Sequence, residues 1–179
     1  MMHADPTLVP LVTLALWGGH HVGDYWLQSD HQAVTKGECS HQGRVACARH
    51  VASLTVAQAL MLAAVAVATG TDVALIPAAL GLGVNAVSHY WADRRATLRG
   101  LVLATERWTA KLGFYDRFGG SAHMDQAWHT AWMIPSALIM AAPLPAALLG
   151  AGVAAVLLAV ANAASRAARR RERERVNAS

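Results

Sequence analysis

Charge is scarce in this chain, and it is unevenly placed. Asp, Glu, Lys and Arg make up 15% of the 179 residues and hydrophobic side chains 55%, whereas soluble domains carry about 25% charged residues. The deficit argues against an ordinary solvated globule and points to a surface that faces lipid. Cysteine is nearly missing: Cys39 and Cys47 are the whole complement, with no C-x-x-C. Neither a disulfide framework nor a cysteine-based zinc knuckle is expected. Cys47 lies one helical turn before His50 and reads as a small buried thiol rather than a soft ligand. Basic residues are absent before the first apolar run at Leu8. A secretory signal needs a basic leader, so Met1 to Thr7 reads as a short tail. Nucleic-acid binding finds no support, because the basic stretch Arg166 to Arg175 carries no interleaved aromatics.

What the chain does have is apolar runs: Leu8 to Leu27, Val51 to Ala68, Val73 to Trp91, Ala127 to Ala142 and Leu144 to Ala164. A bilayer span takes about 20 residues. Three of these runs reach that length only by continuing into polar residues at one end. The basic residues then set an orientation. Lys36, Arg44 and Arg49 fall between spans one and two; Arg94, Arg95, Arg99, Arg107, Lys111 and Arg117 between spans three and four; the other six follow span five, which accounts for all 15. The remaining connections, Thr69 to Asp72 and Ala142 to Pro143, hold none. The positive-inside rule then predicts an all-α, polytopic membrane helical bundle with its N-terminus outside and its C-terminus cytoplasmic. The spans fall near 8–27, 46–69, 73–93, 125–142 and 144–165, in a single domain over 1–165 followed by a basic cytoplasmic tail over 166–179. The expected location is the inner membrane of the cell. A soluble alanine-rich bundle is the competing architecture, since helices apolar all round can also be core; the charge partition weighs against it.

Between spans three and four, Leu98, Leu101, Val102, Thr105, Trp108 and Leu112 recur at helical spacing with Arg on other faces. This predicts an interfacial amphipathic helix over 95–112 on the cytoplasmic side, then a glycine-bearing loop over 113–123. Small residues four apart in span five (Ala147, Ala151, Ala155, Ala159) predict a close-packing stripe. The tail is expected to be a solvated helix end touching anionic lipid headgroups.

Each apolar run meets its polar end through metal-type side chains: His20-x-x-x-Asp24, His50, His89-x-x-x-Asp93 and Asp125-x-x-x-His129. On a helix, residues four apart share a face. The predicted orientation brings these seven side chains to one depth at the cytoplasmic face. Two hairpins repeat the theme, H-x-x-x-D then His, and H-x-x-x-D then D-x-x-x-H, and internal repeats of this kind place a shared site between them. Seven ligands exceed one four-coordinate ion. They suit two divalent ions with a bridging carboxylate or hydroxide, and mixed His and Asp ligation suits Zn²⁺, or Mn²⁺ or Fe²⁺. Three carboxylates against two divalent ions leave about one positive charge to draw an anionic substrate, with Lys36 or Arg94 expected to steady it. His3, His31, His41 and His123 fall in tails or loops, and His21 points about 100° away from His20.

The strings His20-His21-Val22-Gly23-Asp24-Tyr25-Trp26-Leu27-Gln28, Ser88-His89-Tyr90-Trp91-Ala92-Asp93 and Asp125-Gln126-Ala127-Trp128-His129, with Lys36 and His50, resemble the family called domain of unknown function 3307. These are small bacterial and phage integral membrane proteins with an H-x-x-G-D-[FY]-x-x-Q opening, a later H-x-x-x-D and a D-Q-x-x-H. The likeness spans residues 8 to 142 or so. It implies an integral membrane protein without specifying an activity. More distantly, the pattern is similar to membrane-bound metal-dependent hydrolases grouped with zinc-dependent phospholipase C. That similarity implies hydrolysis of a phosphoester or lipid-headgroup substrate in contact with membrane lipids. A proton- or ion-coupled transporter and a non-catalytic metal-binding membrane module are the alternatives.

Overall fold

The computed structural model describes residues 3–178, and among them it holds helices and turns but no strand. The order is α1 (Leu8–Val22), a π-helical turn (Gly23–Leu27), α2 (Asp30–Thr35), α3 (His41–Thr69), α4 (Leu75–Asp93), α5 (Ala96–Thr109), α6 (Leu112–Arg117), α7 (Gly120–Met140) and α8 (Leu144–Asn177). The all-helical expectation therefore holds. Two helices, α3 and α8, are long and apolar enough to cross a bilayer. The others expected to do so differ for visible reasons. α1 runs 15 residues before the π turn. α4 carries Asn85, Ser88 and His89 along its length, and α7 carries Gln126, His129 and Ser136.

Several boundaries also differ. α3 begins at His41, capped by Ser40, whose side chain accepts from the Gly43 N–H. The interfacial helix expected over 95–112 ends at Thr109, where Ala110 adopts a left-handed conformation. The loop expected over 113–123 is instead α6 and the first turn of α7. The basic tail over 166–179, expected as a solvated helix end, is continuous with α8, which runs as one helix to Asn177.

α1 packs along α3 and α4 along α7, and contacts of α1 with α7 and α3 with α4 join the two pairs into a four-helix core. Glycine permits the first pairing. A Cβ on Gly19 would sit 2.5 Å from the Gln58 Cα, and one on Gly23 2.9 Å from the Leu54 Cα. Val12, Leu16, Leu62, Met133 and Met140 fill one end of the core. Mid-helix, buried Gln58 donates to the Leu16 carbonyl (3.1 Å) and accepts from Asn85 (2.8 Å), tying α1, α3 and α4 together.

α8 packs against α4 and α7, and its distal part runs beside α5. Its buried face is Ala147, Ala154, Leu158 and Ser165, not the expected four-residue stripe; Ala155 and Ala159 are exposed. Steps of four drift by about 40° each on a helix of 3.6 residues per turn, whereas a step of seven nearly returns to the same face. The opposite face of α8 exposes Leu148, Leu149, Val153, Val156, Leu157 and Val160.

Gly19→Val should force α1 off α3 and lower stability by about 1–3 kcal/mol. Gly83→Ala, whose Cβ would meet nothing within 4 Å, should be neutral or slightly stabilising. Thermal unfolding of the two variants in detergent micelles checks the contrast.

Candidate metal centre

The end of the core opposite the Met133–Met140 cluster is polar, and local structure explains how each side chain arrives there. His20 is in the last turn of α1. The π turn that follows is sealed by the Gln28 N–H on the Gly23 carbonyl (3.1 Å). Such widened turns are common at functional sites, and this one carries Asp24. Ser29 and Gln32 then form a reciprocal capping box that starts α2, which delivers Lys36. His50 is the tenth residue of α3, and His129 the tenth of α7. His89 and Asp93 close α4.

The seven expected ligand residues meet. His20 Nε2 lies 3.3 Å from Asp24 Oδ2, and His50 Nε2 lies 3.2 Å from Asp24 Oδ1. His50 and His89 approach Asp93 Oδ2 at 3.4 and 3.3 Å. His129 lies 3.6 Å from Asp93 Oδ1 and 3.3 Å from Asp125 Oδ2. The Nε2 atoms of His50 and His89 face each other at 3.2 Å, and the His89 and His129 rings stack. Three overlapping groups have ligand atoms close enough to share an ion: His20, Asp24 and His89; His50, His89 and Asp93; Asp93, Asp125 and His129. Asp93 turns one oxygen toward the His50–His89 side and the other toward His129. It therefore stands where a bridging carboxylate would.

The donor set fits a pair of divalent ions. Asp24 Oδ1, Asp93 Oδ2 and His129 Nε2 are buried without a well-formed hydrogen bond, despite the crowding. Three carboxylates face one ammonium, that of Lys36, 2.7 Å from Asp93 Oδ1. Buried charge of one sign costs several kcal/mol per group unless paired. One feature departs from common metal sites: Nδ1 of His20, His50 and His129 has no hydrogen-bond partner, where a carboxylate or carbonyl usually orients a ligating imidazole.

Of the two residues expected to steady an anion, Lys36 is at the site and Arg94 is not. The Arg94 guanidinium donates to the Lys36 and Glu38 carbonyls, pinning the α2–α3 turn and with it Lys36. Its chain is held by backbone oxygens because α4 ends one residue earlier, which sends the Arg94 side chain back across that turn. Cys47 is buried and donates to the Tyr90 carbonyl (3.8 Å), as a packed thiol. His21 bonds the Trp17 carbonyl of its own helix, and His31, His41 and His123 stay on the surface. Asp116 grips Arg99 (2.8 Å), which also pairs with Glu172 (2.8 Å). Those two carboxylates hold the Arg99 guanidinium above its ordinary pKa.

Gln126 of the D-Q-x-x-H string is a site residue that its sequence motif does not reveal. Its amide donates to Asp24 Oδ2 (2.8 Å), and its oxygen faces His20 Nε2 (3.1 Å), so α7 latches the α1 ligands. Its position next to Asp125 was the available signal. A cavity of about 510 Å³ opens onto the cluster, and its lining includes Asp24, Asp93 and Asp125 together with Lys36, Arg95 and Tyr115. Burial, with Asp125 and Asp116 nearby, pushes the Tyr115 phenol up to about 12, so it remains a neutral donor. No family model matches the chain, and neither a curated protein nor a solved structure resembles it at a significant level.

Gln126→Leu should cost roughly 1–3 kcal/mol by leaving Asp24 Oδ2 and His20 Nε2 without their amide. Thermal unfolding in the presence of a chelator reads that cost separately from any metal. A variant as stable as the parent would show that the latch is idle.

Proposed function

We propose that this chain is a multi-pass membrane protein with a dinuclear His/Asp metal centre, and that it hydrolyses a phosphoester or lipid-headgroup substrate. The observation that carries the proposal is the convergence of three carboxylates and four imidazoles from four helices onto one buried point, with Asp93 facing both halves. Zn²⁺, or Mn²⁺ or Fe²⁺, suits these donors. One ion would be held by His20, Asp24, His50, His89 and Asp93, the other by Asp93, Asp125 and His129. Ions held there would supply Lewis acidity and lower the pKa of a bound water toward neutrality. The protein's own groups do the rest. Gln126 fixes Asp24 and His20. Asp125, a quarter exposed where Asp24 and Asp93 are buried, lines the cavity and is the candidate ligand open to an entering water.

Membrane embedding is part of the same proposal, with five crossings (α1, α3, α4, α7 and α8), an outside N-terminus and a cytoplasmic C-terminus in the inner membrane. The apolar face of α8, the exposed Val56, Leu60 and Val67 of α3, and the exposed Leu75, Ile76 and Val87 of α4 favour it, since soluble monomers rarely expose apolar patches of that extent. Kinship with the domain of unknown function 3307 family belongs to this proposal too, on the motifs quoted above. The transport alternative requires a route past the far end of the core. Val12, Leu16, Met133 and Met140 are fully buried there, and Gln58 and Asn85 are engaged with each other.

Elemental analysis of the purified protein should find about two transition-metal ions per chain. Asp93→Ala should drop that to about one or none, and a chelator should abolish phosphoester hydrolysis. A metal-free wild-type protein would remove this function.

A further inference from the structure

The cavity beside the cluster is lined by two cations, Lys36, whose ammonium lies 2.7 Å from Asp93 Oδ1, and Arg95, which the metal centre does not explain. Arg95 is the centre of the rarer kind of γ-turn, with φ 50° and ψ −56°, closed by the Ala96 N–H on the Arg94 carbonyl. That conformation is strained for any residue with a Cβ and costs about 1–3 kcal/mol. Glycine would suit the turn better, yet an arginine occupies it. Its side chain is aimed with care: Nη2 donates to the Ala33 carbonyl (2.9 Å), and Gly37 leaves room for the aliphatic stem, since a Cβ there would lie 2.5 Å from Arg95 Cδ. Tyr115 reaches the Arg95 carbonyl (3.4 Å) from α6. A guanidinium has five N–H donors, and one of them is used here. Arg99, which also lines the cavity, is paired with two carboxylates, Asp116 and Glu172, and so adds no positive charge to it.

Charge points the same way, resting on the metal centre proposed above. Two divalent ions against Asp24, Asp93 and Asp125 leave about one positive charge, and Lys36 and Arg95 raise it to about three. A polar cavity with that surplus is matched by a multiply charged oxyanion. Bidentate donors on a fixed arginine fit phosphate geometry.

We propose that Arg95 and Lys36 form a phosphate-binding subsite on the cavity side of the metal cluster, so that the substrate presents a phosphate group there. The phosphate belongs either to a lipid or to a soluble ester. Tyr25 lines the cavity, and Tyr25, Trp26 and Leu27 are exposed along the π turn, a setting that brings lipid headgroups within reach of the mouth.

The test uses the full chain in zwitterionic nanodiscs loaded with Zn²⁺, with metal content measured first on every sample. Inorganic phosphate is titrated by calorimetry, and phosphatidic acid is added to the discs in a second arm. Arg95→Gly removes the guanidinium while relieving the turn, so it should keep its metal and melting temperature and bind phosphate at least about tenfold more weakly. Arg95→Lys should fall between. Arg95-dependent binding of inorganic phosphate identifies a soluble source and that of phosphatidic acid alone a lipid one; either supports the subsite. Equal binding by Arg95→Gly and wild type, or no binding in either arm by a metal-loaded wild type, overturns it. A wild type that holds no metal fails at the first measurement instead, which brings down the metal centre and the subsite with it.

Discussion

Three carboxylates, two of them buried and the third a quarter exposed, crowd against four imidazoles with one ammonium among them, and they set the terms for this molecule. Like charges so placed repel, and burial deprives them of water. Something must hold the helix ends together against that cost. Gly19 and Gly23 let α1 close on α3, Gln58 and Asn85 lock α1, α3 and α4 at mid-length, and Gln126 reaches from α7 to α1. Each of these contacts is far apart in sequence and short in space. Together they hold α1, α3, α4 and α7 at the spacing that brings the carboxylates together. A cluster so held is suited to binding cations, which reverse the sign of the local electrostatics.

The two hairpins are related but unequal. His20 and Asp24 match His89 and Asp93, and His50 matches His129 at the tenth position of its helix. The symmetry breaks one turn earlier, where α7 has Asp125 and α3 has the buried Ala46. The α7 half therefore carries the extra carboxylate, and this is the one partly open to the cavity.

Above the cluster, α5, α6 and the distal part of α8 build a polar roof. Ser165 of α8 bonds the Thr97 carbonyl, and Arg99 joins α5 to Asp116 of α6 and Glu172 of α8. Burying Leu98 and Val102 against Trp91 and Tyr115 completes it. α8 is 34 residues long, about 51 Å at 1.5 Å per residue. That exceeds the roughly 30 Å of bilayer hydrocarbon, so under the proposed topology its basic end rises beside the roof and contributes to it.

The helical class, the apolar runs and the His and Asp clusters were all legible in the residues, because each is a local property of spacing and composition. His20 and Asp24, His89 and Asp93, and Asp125 and His129 lie four apart, and that periodicity alone puts each pair on one helical face. The packed face of α8, the split of the expected interfacial helix at Ala110 and the helical turn of α6 were not legible; each depends on what a neighbouring helix covers. The exchange of roles among the basic residues was equally hidden. Arg94 and Arg95 are adjacent and chemically identical, yet one pins a turn through backbone carbonyls and the other lines the cavity. Lys36 reaches Asp93 only because that turn is pinned. Sequence thus determined which groups are available and on which helical face each lies. Only the tertiary structure decided which of them meet, because a γ-turn and a π turn re-aim side chains by amounts that no periodic pattern encodes.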